Sequence, residues 1–181
     1  HPDRALMYAS TAKITFAGAG VSAMAASRVN VTWSLRHMGI QTIGPDKLNQ
    51  LRHVLFLRDM PTILAHMRRH AELLRPKFEA VQRVLGRELA GKGIAEWTDP
   101  QGGYFISLNT LDGCATDVIR MAAEAGVSLT PAGSTFPYKR DPRDRNIRIA
   151  PSFPRLEEIE AAMELLGICV QMVSSDRLLG R

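Results

Sequence analysis

Apolar residues between Pro61 and Leu89 recur at Ile63, Leu64, Met67, Ala71, Leu74, Phe78, Val81, Val84, Leu85 and Leu89. That is close to the helical period of about 3.6 residues. The spacing predicts one long amphipathic helix, opened by Pro61 and ended by Gly91-Lys92-Gly93. Pro76 lies inside it; lacking a backbone N–H, it should kink the helix or divide it. A boundary between two lobes is expected between Pro76 and Leu89.

Ahead of this helix, Ala5 to Ser10 is a short apolar run that reads as a buried strand. From Ser22 the chain is alanine-rich and reads as a helix entering a turn near Asn30. A second helix follows from about Val31 to Met38, with Gly39 as its C-terminal cap. Gly44-Pro45-Asp46 marks a turn, and Lys47 to Leu57 reads as another helix. Beyond Gly93 the period changes. Ile94 to Trp97 and Tyr104 to Leu108 read as strands joined by the turn Asp99 to Gly103. Cys114 to Ala125 reads as a helix, with Asp112 as N-cap and Gly126 past its end. Val127 to Thr130 and Asn146 to Ala150 read as short strands, and Leu156 to about Val173 as a final helix. Strand, strand, helix, strand, loop, strand, helix is the order of a compact α/β layer. No internal repeat or low-complexity segment interrupts it.

Composition narrows the class. The 181 residues, 45% hydrophobic and 23% charged, suffice for one good core or two small lobes. The longest uncharged run, Ile14 to Ser27, contains Thr15, Gly18, Gly20 and Ser22 and is too short and polar to span a membrane. No signal peptide is visible at the start. The chain opens on His1 rather than Met, so further sequence is expected upstream. Cys114 and Cys169 have no CxxC or metal-type spacing and read as reduced, structural thiols of a cytosolic protein.

The net charge of +5 comes mostly from two stretches. One is Arg68, Arg69, His70, Arg75, Lys77, Arg83 and Arg87, with glutamates between; the other is Lys139 to Arg145, with alternating signs. Neither is an uninterrupted basic patch with interleaved aromatics, so a solvated or subunit-facing surface is expected rather than a nucleic-acid site. His66 and His70 are four apart but flank Arg68 and Arg69, so no metal site is expected. Trp33, Trp97 and the eight methionines read as core packing.

Candidate chemistry begins at Ser10-Thr11-Ala12-Lys13. A lone lysine past a strand is most often solvated. Lys13, however, stands between an apolar strand and Ala17-Gly18-Ala19-Gly20, where small residues let backbone approach a ligand. Shielding from water disfavours the ammonium, and a neutral amine can condense with an aldehyde. Ser10 and Thr11 offer hydroxyls beside backbone N–H groups, a combination suited to a phosphate oxygen. Arg148 alternates with Ile147 and Ile149, so it faces away from them. Its planar fork can take a carboxylate through two hydrogen bonds.

The segment Tyr8-Ala9-Ser10-Thr11-Ala12-Lys13-Ile14-Thr15-Phe16-Ala17-Gly18-Ala19-Gly20-Val21-Ser22 resembles the cofactor-lysine segment of fold-type-I aminotransferases. It is most similar to a bacterial subgroup of aspartate aminotransferases. Pro100-Gln101-Gly102-Gly103-Tyr104-Phe105 resembles the P-x-G-G-x-F turn of the small domain. Thr130 to Phe136 resembles the P-G-x-x-F loop, and Asn146-Ile147-Arg148-Ile149 the N-x-R-I strand. These motifs run through the whole chain in the family's order.

The resemblance implies an α/β fragment of the pyridoxal-phosphate-dependent transferase fold. Residues 1–60 would end the large cofactor domain, 61–90 would form the connecting helix and 91–181 the small domain. It implies pyridoxal 5'-phosphate held as a Schiff base by Lys13, with Ser10 and Thr11 at its phosphate and Arg148 at the substrate α-carboxylate. The reaction expected is transfer of an amino group between an amino acid, aspartate first, and a 2-oxo acid, in a cytoplasmic homodimer without nucleic-acid or membrane partners. Many members carry an arginine for the phosphate seven or eight residues after the lysine. Here Gly20 and Val21 stand there, as the subgroup's glycine does, and Arg28 is not placed by the pattern. The residues facing the pyridine ring precede the lysine in the family, so the fragment alone is not expected to be a competent enzyme. The alternatives are another reaction on the same scaffold, the aminotransferase-like sensor domain of a transcription regulator, and a nucleic-acid-binding module.

Overall fold

The computed structural model describes residues 1–181, which fold as two units, His1–Glu72 and Leu73–Arg181. In the first unit, β1 (Leu6–Ser10) runs antiparallel to β2 (Ser22–Ala26), with Leu6 opposite Ala26 and Ser10 opposite Ser22. The alanine-rich stretch expected as helix is therefore a strand from Ser22 to Ala26. Full pairing with β1 outweighs the helix propensity of alanine. β1 itself is exposed along its length, Leu6 at 50% and Tyr8 at 73%, which corrects the expected buried strand. Two strands alone provide no second layer to cover a face.

Ser27 caps α1 (Arg28–Gln41), its hydroxyl accepting from the N–H of Asn30. The helix begins ahead of Val31 and runs on through Gly39, so Gly39 is not its cap; Thr42 is, its N–H donating to the Met38 carbonyl. α2 (Lys47–Leu57) keeps the expected bounds, because the Asp46 carboxylate accepts from the N–H of Asn49 at 2.9 Å. In this unit only His53 and Leu57 are buried. Trp33, Met7, Met38 and Met60 lie open, contrary to their expected core role.

α3 (Met60–Leu89) is one continuous helix. Pro76 does not divide it: the ring removes one backbone donor, and the turns on either side carry the helix through. The division between units falls within it, after Glu72.

The second unit has a three-stranded antiparallel sheet in the order β3 (Ala95–Trp97), β4 (Ile106–Thr110), β5 (Asn146–Ile149). Ile106, Leu108 and Thr110 are buried and alternate with Ser107 and Asn109, the mark of a strand covered on one face. β4 starts two residues later than expected, since Tyr104 and Phe105 stay with the turn that Gly103 makes at φ +88°. Ile147 and Ile149 of β5 are buried beside them, against α4 (Ala115–Glu124), α5 (Leu156–Leu178) and the last turns of α3. Each fully buried Leu, Ile or Val contributes roughly 1.5–3 kcal/mol. Trp97 is half-buried, and its indole N–H donates to Gln82 at 2.8 Å. Burial pushes the thiols of Cys114 and Cys169 above their ordinary pKa, and both are free within this core.

Two further expectations fail here. Asp112 does not cap α4; it pairs with Arg143 at 2.9 Å, and Cys114 occupies the cap position. Asp144 serves the helix start instead, accepting from the N–H and hydroxyl of Thr116. Val127 to Thr130 forms no strand, because the Val127 N–H turns back to the Ala122 carbonyl at 2.8 Å and no neighbour pairs with the segment. Of the basic residues on α3, Lys77 is not merely solvated. Its ammonium donates to the carbonyls of Ser152 and Pro154, tying down the loop before α5, while Arg83 and Arg87 pair with Glu160 and Glu164. No helix is long and apolar enough to cross a membrane.

Candidate active site

The chain leaves β1 at Ser10 and makes one tight helical turn before Phe16. The N–H groups of Ile14 and Thr15 and the Thr15 hydroxyl all converge on the Thr11 carbonyl, at 2.9, 3.0 and 3.0 Å. Lys13 stands at the centre of that turn. Its side chain is exposed, which corrects the expectation that this chain shields it. Thr11 closes the turn from the other side. Its N–H donates to the Val21 carbonyl and its hydroxyl accepts from the Val21 N–H, both at 2.9 Å.

Glycine makes this closure possible. A Cβ on Gly20 would stand 2.9 Å from the Cα of Ala12, so a side chain there would strike the backbone next to Lys13. The close approach inferred from the small residues is thus an approach of the chain to itself. Ser10 ends β1 opposite Ser22. Its oxygen accepts from the Ala12 N–H at 3.1 Å and from the Ser22 hydroxyl at 3.3 Å, which leaves its own proton for an outside acceptor.

The helices of the same unit brace this turn. The buried His53 of α2 reaches the Thr15 hydroxyl with Nε2 at 2.9 Å, and His66 of α3 bonds the Ile14 carbonyl. Asn49 donates to the Ala19 carbonyl at 2.9 Å, and the Arg52 guanidinium lies over the Phe16 ring. None of these was singled out from the sequence. The only signal considered for the histidines, metal-ligand spacing, does not test for a contact to a backbone carbonyl.

In the second unit, Arg148 lies on the half-covered face of β5, while its neighbours Ile147 and Ile149 point into the core. Its guanidinium carbon stands 4.6 Å from the centre of the Phe105 ring, and one terminal nitrogen makes a long bond of 3.4 Å to the Thr130 hydroxyl. Its Nε is buried with no partner. A buried guanidinium N–H without an acceptor is costly, so the arrangement suits an anion brought in from outside. Asn146 of the same strand is structural: it bonds Ser107, Asn109 and Thr135 side chains at 2.7–2.9 Å.

The loop entering β5 is organised by Asp141, another residue the sequence pattern did not mark. Burial alone would raise its pKa, but N–H donors from Arg145, Arg143 and Asn146, with the Arg145 charge, hold it below the ordinary value. Gly133 in the preceding loop is also obligatory. It has φ +76°, and a Cβ there would stand 2.3 Å from the Lys139 carbonyl oxygen.

The family described as aspartate amino-transferase matches residues 1–181. A protein of Mycolicibacterium smegmatis named as an aminotransferase is 49% identical over 180 residues, 99% of this chain and 42% of its own length. The aspartate aminotransferase of Corynebacterium glutamicum is 46% identical over 176 residues, 97% of this chain and 41% of that protein. A crystal structure of an aspartate transaminase from the same organism superposes with a TM-score of 0.90, over 94% of this chain and 40% of that one, at 46% identity. At 20% identity, the α-aminoadipate aminotransferase of Thermus thermophilus shares the fold, with a TM-score of 0.78 over 94% of this chain and 42% of that one. This chain spans about two fifths of the length of the relatives it matches. With its α/β architecture and motif order agreeing along the whole length, the chain belongs to the aspartate aminotransferase family.

Proposed function

We propose that this chain supplies the cofactor lysine, Lys13, and the carboxylate-binding arginine, Arg148, of a pyridoxal-phosphate-dependent aminotransferase. It would move an amino group between an amino acid, aspartate first, and a 2-oxo acid. The observation that carries the reading is the buried, unpartnered Nε of Arg148, backed by the Phe105 ring. A guanidinium so placed fits the planar α-carboxylate common to every amino-acid substrate.

The residues present suit pyridoxal phosphate. Ser10 keeps a free hydroxyl proton for a phosphate oxygen, and Lys13 sits on a turn fixed three residues further on. The Thr11 hydroxyl already serves Val21, which gives it a bracing part beside any contact to phosphate. When bound, the cofactor supplies an electron-withdrawing ring that takes up charge left at the substrate Cα. Lys13 Nζ would hold the cofactor through its aldehyde carbon and, once released, take the proton from Cα. Arg148 would hold the carboxylate so that the Cα–H bond is presented to Lys13. The cover that Lys13 needs against water is assigned to parts of the intact protein beyond residues 1–72. A cytoplasmic homodimer belongs to the same proposal, and light scattering on the intact protein tests the dimer.

Borohydride reduction of the full-length protein with pyridoxal phosphate, followed by peptide mass analysis, tests the lysine. The added mass is expected on the peptide bearing Lys13. Lys13→Ala should lose the cofactor absorbance band and at least about 100-fold in kcat. A band that persists unchanged in Lys13→Ala refutes the assignment. Arg148→Lys should raise the KM for amino-acid substrates roughly 10- to 100-fold, the effect of losing a charged, two-pronged hydrogen bond. An unchanged KM for every amino acid removes the carboxylate role.

A further inference from the structure

Thr15 follows Lys13 by two residues, and its hydroxyl is held from two sides. It bonds the Thr11 carbonyl at 3.0 Å, a local contact that threonines commonly make. It also meets Nε2 of His53 at 2.9 Å, from 38 residues away on α2. His53 is only 5% exposed, and its other nitrogen, Nδ1, donates to the Asn49 carbonyl at 2.8 Å. Its ring is set edge-on to Phe16. Both nitrogens and one edge of the imidazole are thus fixed, and the side chain has one remaining task, to hold Thr15.

A relay results: with Nδ1–H on the Asn49 carbonyl, Nε2 of the neutral ring is an acceptor, so the single hydroxyl proton of Thr15 is shared between His53 Nε2 and the Thr11 carbonyl. That last oxygen also accepts the N–H groups of Ile14 and Thr15 that close the turn around Lys13. His66 secures the intervening Ile14 carbonyl, with Phe56 packed against its ring. The apolar cover of the turn in this unit is thin: Phe16 and Phe56 contact the two histidine rings, and both are themselves exposed. Its geometry therefore depends more on directional hydrogen bonds than on packing.

We propose that His53, acting through Thr15, is a positioning residue for Lys13, fixing the Thr11–Thr15 turn from which the lysine projects. This rests on the reading of Lys13 as the cofactor lysine. A reacting group displaced by about 1 Å can lose on the order of 100-fold in rate, so a turn held in this way matters to kcat. Substrate binding at Arg148 is left alone.

The test uses the full-length enzyme loaded with pyridoxal phosphate. It compares wild type with Thr15→Val, Thr15→Ser, His53→Phe and the Thr15→Val/His53→Phe double variant. The pH midpoint of the cofactor absorbance band is expected to move by at least about 0.5 unit in Thr15→Val and in His53→Phe, with kcat falling roughly tenfold or more and KM within about twofold. The double variant should move no further than the larger single change, since both remove one relay. Thr15→Ser, which keeps the hydroxyl, should retain the wild-type midpoint. In cofactor-free protein, Thr15→Val should speed amide exchange at Ile14 and Thr15 by about tenfold or more.

Wild-type midpoints in both Thr15→Val and His53→Phe overturn the proposal. Thr15→Val, nearly isosteric, decides alone where His53→Phe does not fold. Lys13→Ala separates the two ways of failing. A band lost in Lys13→Ala, with unmoved midpoints in the other variants, overturns the positioning role only. A band unchanged in Lys13→Ala overturns the lysine assignment and this proposal with it.

Discussion

In Leu73–Arg181, the sheet and helices close until Leu85, Leu108, Ile147 and Leu166 are completely buried. In His1–Glu72, apolar side chains such as Tyr8, Trp33, Ile40, Leu48 and Val54 stay open, each more than 60% exposed. One helix, α3, belongs to both: Val81, Val84 and Leu85 near its end are buried, whereas Leu64 and Met67 near its start are not. The second unit is held by burial, where each side chain counts for a few kcal/mol. The first takes its local shape from hydrogen bonds, each worth about 0.5–1.5 kcal/mol net. Apolar surface of that extent calls for cover. The relatives, more than twice as long, have the length to supply it.

The contrast breaks most directly under truncation. Leu85→Ala should cost the second unit about 2–5 kcal/mol, while Leu55→Ala in α2 should change stability by no more than about 0.5 kcal/mol. One tryptophan lies in each unit. In a Trp33→Phe background, urea unfolding followed by Trp97 fluorescence reports the second unit and reads Leu85→Ala; in a Trp97→Phe background, Trp33 fluorescence reports the first and reads Leu55→Ala. Equal losses from the two truncations would mean that the first unit has a core after all.

Asp141→Asn comes next. It leaves one acceptor oxygen where the carboxylate now takes N–H bonds on both, from Arg143 at 3.0 Å and from Arg145 and Asn146 at 2.8 and 2.9 Å. The expected loss is about 1–3 kcal/mol in the Trp97-monitored transition. Because the folded pKa lies below the ordinary carboxylate value of 3.8, this contribution is complete above that pH. It disappears as pH falls through the folded pKa. Stability of the second unit should therefore drop below about pH 4 in the wild type and respond less steeply in Asp141→Asn. Identical acid profiles would remove Asp141 from the account.

The same contrast explains what could be read from the residues alone. α2, β5 and the start of α5 were legible because period and alternation agree with the turns that bound them. Asp46 starts one helix, and Ile147 and Ile149 bracket Arg148, whereas α5 runs past its expected end near Val173 to Leu178. Ser22–Ala26 was not legible, because alanines carry helix propensity, and only a partner strand twelve to twenty positions back makes them a strand. Asp112 has the chemistry of a cap but is taken by Arg143, an ion pair no local rule reveals. Lys13, Ser10 and Arg148 were legible as motif residues. The exposure of Lys13, the histidines that brace its turn and the bare Nε of Arg148 are facts of tertiary placement, which no spacing along the chain encodes.

The smallest global effect, and the sharpest comparison, comes from a pair of glycines. A Cβ on Gly167 of α5 would stand 2.8 Å from Cβ of Glu88 on α3, and one on Gly20 would stand 2.9 Å from Cα of Ala12. The two clashes are alike in distance but fall in units held by different means. Gly167→Ala pushes two packed helices apart and should cost about 1–3 kcal/mol in the Trp97 transition. Gly20→Ala should move that transition by less than about 0.5 kcal/mol, since no packed core lies beneath it. Its effect should appear instead as faster amide exchange at Val21 and Thr11, whose mutual bonds hold the Lys13 turn closed. If Gly20→Ala shifts the Trp97 transition as far as Gly167→Ala does, strain at the lysine turn reaches the second unit, and the two units are not energetically separate.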